Sequence, residues 1–232
     1  MAPLGLTRHP TNMKDASRTA LNDALTRTQD VYERHASSWD KQRRSLPFAE
    51  KGWLDRFTAA LPPRARILEL GPGAGLPISD YLIHCGYHLT GIDASRSMLT
   101  IARQRFPSAT WLRGDMRDLN LPEQFDGIIA WDSFFHLPQA DQIRLLPKLS
   151  AHLKSDGALL VTVGPKAGEV LGSIGGDAVY HASLAPEDYR QRLESLGFTS
   201  IHFQAEDPDC QQRSVILAVR ERRQSPPNQM TS

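Results

Sequence analysis

Residues 67 to 75 read Ile-Leu-Glu-Leu-Gly-Pro-Gly-Ala-Gly, an apolar run carrying one acid and breaking into three glycines spaced by two. Only glycine lets main chain turn that tightly and come that close to a ligand. Gly71, Gly73 and Gly75 therefore mark a loop suited to holding a small molecule against backbone, with Glu69 just upstream. A dinucleotide-binding loop would place its third glycine at position 76, where Leu76 stands. Asp93 lies 22 residues beyond Gly71, at the end of the next apolar run. An acid there can accept hydrogen bonds from both hydroxyls of a ribose. It can equally cap a helix, because residues 93 to 98, Asp-Ala-Ser-Arg-Ser-Met, open a helical pattern.

The elements that must position these residues alternate. Short apolar runs at 65–70, 87–92, 109–113 and 128–131 predict buried strands, the last begun by Asp126 and Gly127. Helical spacing follows the first two, with Ile78, Tyr81 and Leu82 after the glycines and Met98, Ile101 and Ala102 after Asp93. A helix over 139–153, a turn at 155–157 and a strand over 158–164 complete the series. Strand, helix, strand, repeated over about 100 residues, argues for a parallel α/β sheet whose ligands lie at the carboxyl ends of the strands. Past a helix over 186–196, closed at Gly197, strands at 199–204 and 214–220 lie close enough in sequence to form an antiparallel hairpin.

The glycine loop with its upstream acid resembles motif I of the class I S-adenosylmethionine-dependent methyltransferases. Gly114-Asp115-Met116, at the end of the third strand, is similar to the family's adenine-binding turn, although a plain surface turn reads the same way. The segment 30–43 continues the likeness: Tyr32, His35, Ala36 and Trp39 follow the i, i+3, i+4, i+7 template, as in the helix that small-molecule methyltransferases lay over their site. A second helix, 50–60, carries Trp53, Leu54 and Phe57 on one face, which suits packing on the sheet.

This resemblance covers residues 30 to 220 and implies a Rossmann-like, doubly wound, seven-stranded sheet, mostly parallel with the last strand antiparallel, flanked by helices and an N-terminal helical lid. It implies S-adenosyl-L-methionine as cofactor. The contacts would fall on Tyr32, Trp39, Glu69, Gly71, Pro72, Gly73, Gly75, Leu76, Asp93, Ala94, Met98, Gly114, Asp115, Met116 and Trp131. The expected organisation is an irregular tail to residue 27, a lid over 28–61, the methyltransferase domain over 62–221 and a second tail over 222–232.

Such a cofactor brings an electrophilic methyl, so the protein must hold a nucleophile in line with it and, for an uncharged oxygen or nitrogen, remove a proton. Candidates are Asp132 and His136 at the fourth strand tip, Tyr180 and His181 in the expected loop 176–184, and Arg213 before the last strand. His136 suits a base because histidine titrates near neutrality, and it suits equally a capping or substrate-orienting role. Tyr180 and His181 are adjacent, so one of them is expected in the pocket. Arg213 offers a planar fork for a carboxylate or phosphate acceptor, or an ion pair with Asp207 or Asp209.

The resemblance implies a small-molecule acceptor, and composition gives no sign of a polymeric partner. Net charge is +1, from 27 basic and 26 acidic residues, which gives no general attraction to nucleic acid or anionic membrane. The fourth strand tip, Trp-Asp-Ser-Phe-Phe, departs from the Asn/Asp-Pro-Pro-Tyr/Phe sequence of base-methylating enzymes. Asp132 has no second acid close in sequence, so no metal is expected. Cys85 and Cys210 lack metal spacing and fit reduced thiols in a cytoplasmic monomer or homodimer. A nicotinamide-dependent oxidoreductase and a non-catalytic cofactor-binding protein are the competing readings.

Overall fold

The computed structural model describes residues 11–220. Helices α1 (Thr11–Ser45) and α2 (Lys51–Ala59) precede β1 (Arg66–Leu70), α3 (Ile78–His84), β2 (His88–Asp93), α4 (Arg96–Arg105), β3 (Thr110–Arg113) and β4 (Phe125–Ala130). Then follow α5 (Gln139–His152), β5 (Leu153–Val163), β6 (Gly168–Ile174), β7 (Asp177–Ser183), α6 (Pro186–Ser195), β8 (Ser200–Asp207) and β9 (Arg213–Val219).

Seven strands form one sheet in the order β3-β2-β1-β4-β5-β9-β8. The first five pair in parallel, and β9 runs antiparallel to both β5 and β8. This is the doubly wound, mostly parallel sheet with an antiparallel last strand that the resemblance implied. Chain order reverses between β1 and β4, which opens a crevice at their carboxyl ends.

Alternation along the strands builds two cores. Leu68, Ile128, Ala130 and Leu159 point to one face, against Leu145 and Leu149 of α5 and Leu193 of α6. Ile67, Ile129 and Leu160 point to the other, against Leu54 and Phe57 of α2, Leu82 of α3 and Leu99 of α4. Because both faces are covered, β4 is buried at all six positions, which is why it reads as a continuous run rather than an alternating one.

Four expectations are corrected. The stretch expected to be an irregular tail is helical from Thr11, so α1 is 35 residues long; residues 1–10 and 221–232 lie outside the described residues. The expected turn at 155–157 lies inside β5, as a register jump from Phe125↔Leu153 to Gly127↔Ala158. The last strand pair is longer than predicted, with β8 reaching Asp207. The expected loop 176–184 is β7, which forms an antiparallel hairpin with β6. That hairpin is a separate two-stranded sheet beside α1: the Tyr180 amide donates to Thr28 Oγ1 (2.9 Å), and Tyr180 packs with Leu21, Ala24 and Leu25. Its glycine-rich sequence hid the strands, since glycine is a poor strand former judged by propensity alone.

Candidate cofactor and methyl-transfer site

A cavity of about 420 Å3 lies at the carboxyl ends of β1, β2 and β4, roofed by α1, and is of the size that holds one small ligand. Its floor is the glycine loop. Gly73 has φ +57° and faces the cavity, where an added Cβ would meet only Met98 Sδ, at 3.8 Å. Gly75 does different work: a Cβ there would come within 2.8 Å of the Phe106 ring, so it makes room for the core and does not line the cavity. The same holds in part for Gly71, whose Cβ position is taken by Ser133, 2.4 Å away.

Asp93 ties this loop to the next strand. The Gly73 amide donates to its Oδ2 (2.9 Å) and the Ser95 amide to its Oδ1 (2.8 Å). The helix-capping role belongs instead to Ser95, which accepts from the Met98 amide at the start of α4. Each Asp93 oxygen keeps a lone pair for a ribose hydroxyl. Glu69 is buried and accepts from the Ser79 hydroxyl (2.6 Å). Burial pushes its carboxyl up to about 7 and raises that of Asp93 as well, with no basic side chain beside either to offset the cost. Buried carboxylates without a cation fit a ligand that brings positive charge, as a sulfonium and an ammonium would.

Of the expected cofactor contacts, Tyr32, Trp39, Glu69, Gly71, Pro72, Gly73, Leu76, Asp93, Ala94, Met98, Gly114, Asp115, Met116 and Trp131 line this cavity, and Gly75 does not. Asp115 is held by Gln29 (2.7 Å) and by the Arg117 guanidinium, whose charge-assisted bonds keep its carboxyl low despite burial.

The methyl-acceptor candidates divide. Asp132 and His136 line the cavity; Tyr180, His181 and Arg213 do not. His136 Nδ1 lies 2.8 Å from the Tyr180 carbonyl, which can only accept, so Nδ1 carries the proton and Nε2 presents its lone pair to the Tyr32 hydroxyl (2.9 Å). Burial first, and His181 second, push His136 down to about 4, so it is neutral at physiological pH. Tyr32 is pushed well above its usual range, by burial and then by Asp132, so its hydroxyl keeps its proton.

Because successive strand residues face opposite sides, Tyr180 and His181 part company. Tyr180 turns its hydroxyl to Glu169, away from the cavity. His181 packs edge-on between Phe135 (4.7 Å between ring centres) and His136 (4.9 Å), backing the His136 ring from outside the cavity. Neither lines the pocket, against expectation. Arg213 is corrected too. Its Nε and Nη2 grip Asp132 at 2.8 to 3.0 Å, so the fork is spent on a side chain of the site rather than held free for an anionic acceptor. The partner is neither Asp207 nor Asp209: Asp207 accepts from the Trp53 indole (2.7 Å) instead.

The roof holds residues that sequence reasoning passed over. Arg105 of α4 donates to both oxygens of Asp40 (2.8 and 2.9 Å) and to the Ala74 carbonyl of the glycine loop (2.8 Å). Glu33 accepts from the Ser95 and Ser97 hydroxyls (2.6 and 2.7 Å). Leu25, Gln29 and Arg43 line the cavity with Tyr32 and Trp39. The available signal was the helical template itself, which extends unbroken from 25 through 29, 32, 36 and 39 to 43.

A family model described as a methyltransferase domain matches residues 67–157. The dTDP-3-amino-3,6-dideoxy-alpha-D-glucopyranose N,N-dimethyltransferase of Streptomyces fradiae is 33% identical over 102 residues, 43% of this chain and 40% of that protein. The malonyl-[acyl-carrier protein] O-methyltransferase of Bacillus cereus is 33% identical over 150 residues, 62% of this chain and 52% of that protein. The chain thus spans about half the length of the curated relatives it matches. The crystal structure of DesVI from Streptomyces venezuelae superposes with a TM-score of 0.64 at 18% identity, covering 80% of this chain and 98% of that one, which shows a shared fold. With the glycine loop braced by the acid of the neighbouring strand in a sheet of this order, residues 67–157 form a segment similar to the methyltransferase domain that this model describes.

Proposed function

We propose that the protein binds S-adenosylmethionine in the roofed cavity and transfers its methyl to a nitrogen, or a neutral oxygen, of a small molecule. The cofactor supplies an electrophilic methyl on a sulfonium. Gly73 gives it close backbone approach, Asp93 the ribose acceptor, Asp115 and Met116 the adenine contacts, and Glu69 a carboxylate near its positive end.

The observation that carries the acceptor class is the Arg213–Asp132 grip. An anionic acceptor needs a free guanidinium beside the reacting centre. Arg213 is committed to Asp132, Arg117 to Asp115 and Arg43 to Glu50, while the lining carries Glu69, Asp93, Asp115, Asp132 and Asp141. An acidic cavity disfavours a carboxylate or phosphate and favours a neutral or cationic acceptor. His136 then acts as the base, receiving at Nε2 the proton that the acceptor loses, directly or through the Tyr32 hydroxyl. Asp132, beside it, steadies the imidazolium that forms. The amino-sugar N,N-dimethyltransferase among the relatives supports a nitrogen acceptor, and the acyl-carrier-protein O-methyltransferase keeps oxygen in view.

The experiment is single-turnover methyl transfer from saturating cofactor to a panel of amino sugars and hydroxylated analogues. His136→Ala is expected to lower the rate roughly 10²–10⁴-fold with cofactor affinity unchanged. Selective weakening of a carboxylate-bearing acceptor in Arg213→Ala, with full activity in His136→Ala, would overturn the reading in favour of an anionic acceptor.

A further inference from the structure

Tyr180 turns both of its main-chain groups out of the β6–β7 hairpin and onto side chains. Its amide donates to Thr28 Oγ1 (2.9 Å), and its carbonyl accepts from His136 Nδ1 (2.8 Å). Thr28 is 5% exposed, and its hydroxyl donates to the Ala24 carbonyl (2.8 Å), which leaves an oxygen lone pair for the Tyr180 amide. Four residues on, one turn along α1, Tyr32 donates its hydroxyl to His136 Nε2 (2.9 Å). Thr28 and Tyr32 both line the cavity, so one face of the lid helix reaches the imidazole twice, directly at Nε2 and through the main chain of β7 at Nδ1. The hairpin also meets the ring from a second side. His181 packs 4.9 Å from His136, in room that Gly172 of β6 provides, since a Cβ there would come within 2.6 Å of His181 Cε1.

A neutral imidazole can carry its proton on either nitrogen, and only the form protonated at Nδ1 offers a lone pair at Nε2. The Tyr180 carbonyl selects that form, and it is only as well placed as the strand that carries it. β6 and β7 make a sheet of two strands alone, which has little stability of its own. We propose that Thr28 is a positioning residue for His136. Acting through the main chain of Tyr180, it holds β7 where the carbonyl sets the tautomer and the direction of the base, so the base is set only while α1 lies on the hairpin. This deepens the function proposed above and rests on it, because it takes His136 as the base. The two are separable by experiment, since the state of an imidazole can be read without turnover.

The test uses Thr28→Val, which keeps the branched shape and removes the acceptor, Thr28→Ser, which restores it, His136→Ala, and the double variant His136→Ala/Thr28→Val. Proton–nitrogen correlation NMR at neutral pH, with the His136 signals assigned by their absence from His136→Ala, should show the wild-type ring as one neutral form protonated at Nδ1. Thr28→Val should mix in the form protonated at Nε2, and Thr28→Ser should return the wild-type pattern. With an amino sugar of the panel that turns over, Thr28→Val should lower kcat roughly 5- to 100-fold while KM and S-adenosylmethionine affinity change less than about threefold. Thr28→Ser should recover most of that rate. In the double variant the Thr28 substitution should cost nothing further, because its effect runs through the imidazole. An unmoved His136 spectrum in Thr28→Val, with the fold confirmed by unchanged cofactor affinity, overturns the role of Thr28 and leaves the methyltransferase reading standing. Losses that multiply in the double variant overturn it as well, because Thr28 would then act on the cavity or the fold rather than on the base. Full activity in His136→Ala removes the base and the role of Thr28 together.

Discussion

The carboxylate of Asp93 accepts a hydrogen bond from the amide of Gly73, 20 residues before it, at 2.9 Å. One side chain thus fixes the loop that would hold the amino-acid end of a ligand and presents the acceptor for its ribose, so the two subsites are a single unit. Deleting the carboxylate removes an acceptor from two backbone amides at once, Gly73 and Ser95. Asp93→Ala should therefore cost about 1.5–3 kcal/mol in cofactor affinity by titration calorimetry. A loss of a few tenths would restrict Asp93 to bracing the loop.

The loop glycines should separate by phenotype. Gly73→Val puts a branched side chain where the cavity is open, so binding is expected to vanish while the thermal transition persists, lowered by the strain of φ +57°. Gly75→Ala drives a methyl to 2.8 Å from the Phe106 ring and should lower Tm and expression first. Circular dichroism melts and calorimetry on both variants check the contrast; tight cofactor binding by folded Gly73→Val would contradict the cavity assignment.

His136 is held neutral by burial, so its acid limb lies far below the usual histidine range. The kcat/KM profile should show no protonation step near 6.5, and loss of activity should begin only toward about pH 4. Tyr32→Phe, which removes the donor to Nε2 without opening the lid, should leave cofactor affinity intact and lower turnover.

The same burial makes stability depend on pH. Between about 4 and the ordinary histidine value, the unfolded chain binds a proton that the folded chain refuses, so stability is lost as pH falls through that window, by at most about 1.4 kcal/mol per unit. Glu69 opposes it: its folded value of about 7 exceeds its unfolded one, so it contributes stability below the unfolded value that fades as pH rises to 7. Urea midpoints of wild type and His136→Leu between pH 4.5 and 7 isolate the histidine, and parallel curves would mean that His136 ionises freely in the folded protein.

Arg105 links the roof to the floor through Asp40 and the Ala74 carbonyl. Arg105→Gln leaves Asp40, 5% exposed, without its charge partner on α4, so a loss of about 3 kcal/mol is expected. Limited proteolysis should cut α1 faster in this variant, and bound cofactor should slow the cutting. Equal cleavage rates in wild type and variant would separate Arg105 from lid closure.

Much of this architecture was legible in local sequence. Strands covered on both faces read as continuous apolar runs, which located β1, β2 and β4. The glycine spacing with Glu69 and Asp93 marked the crevice, because a tight turn and a strand-tip acid are consequences of adjacent residues. What failed were readings that needed a partner from far along the chain. The hairpin of β6 and β7 stayed hidden because its glycines weaken strand propensity while α1, some 150 residues earlier, supplies the surface it packs on. Tyr180 and His181 diverge as expected, but neither lines the cavity, because Tyr180 packs against α1 and His181 packs behind the His136 ring. Arg213 looked available to a ligand because Asp132 is 81 residues away in sequence. Arg105 carried no motif at all. Sequence determined the elements and the backbone that can cradle a ligand, since those follow from local sterics and hydrophobic period; tertiary structure alone decided which charges are already paired, because pairing in a buried site is set by distances between elements that the chain brings together only when it folds.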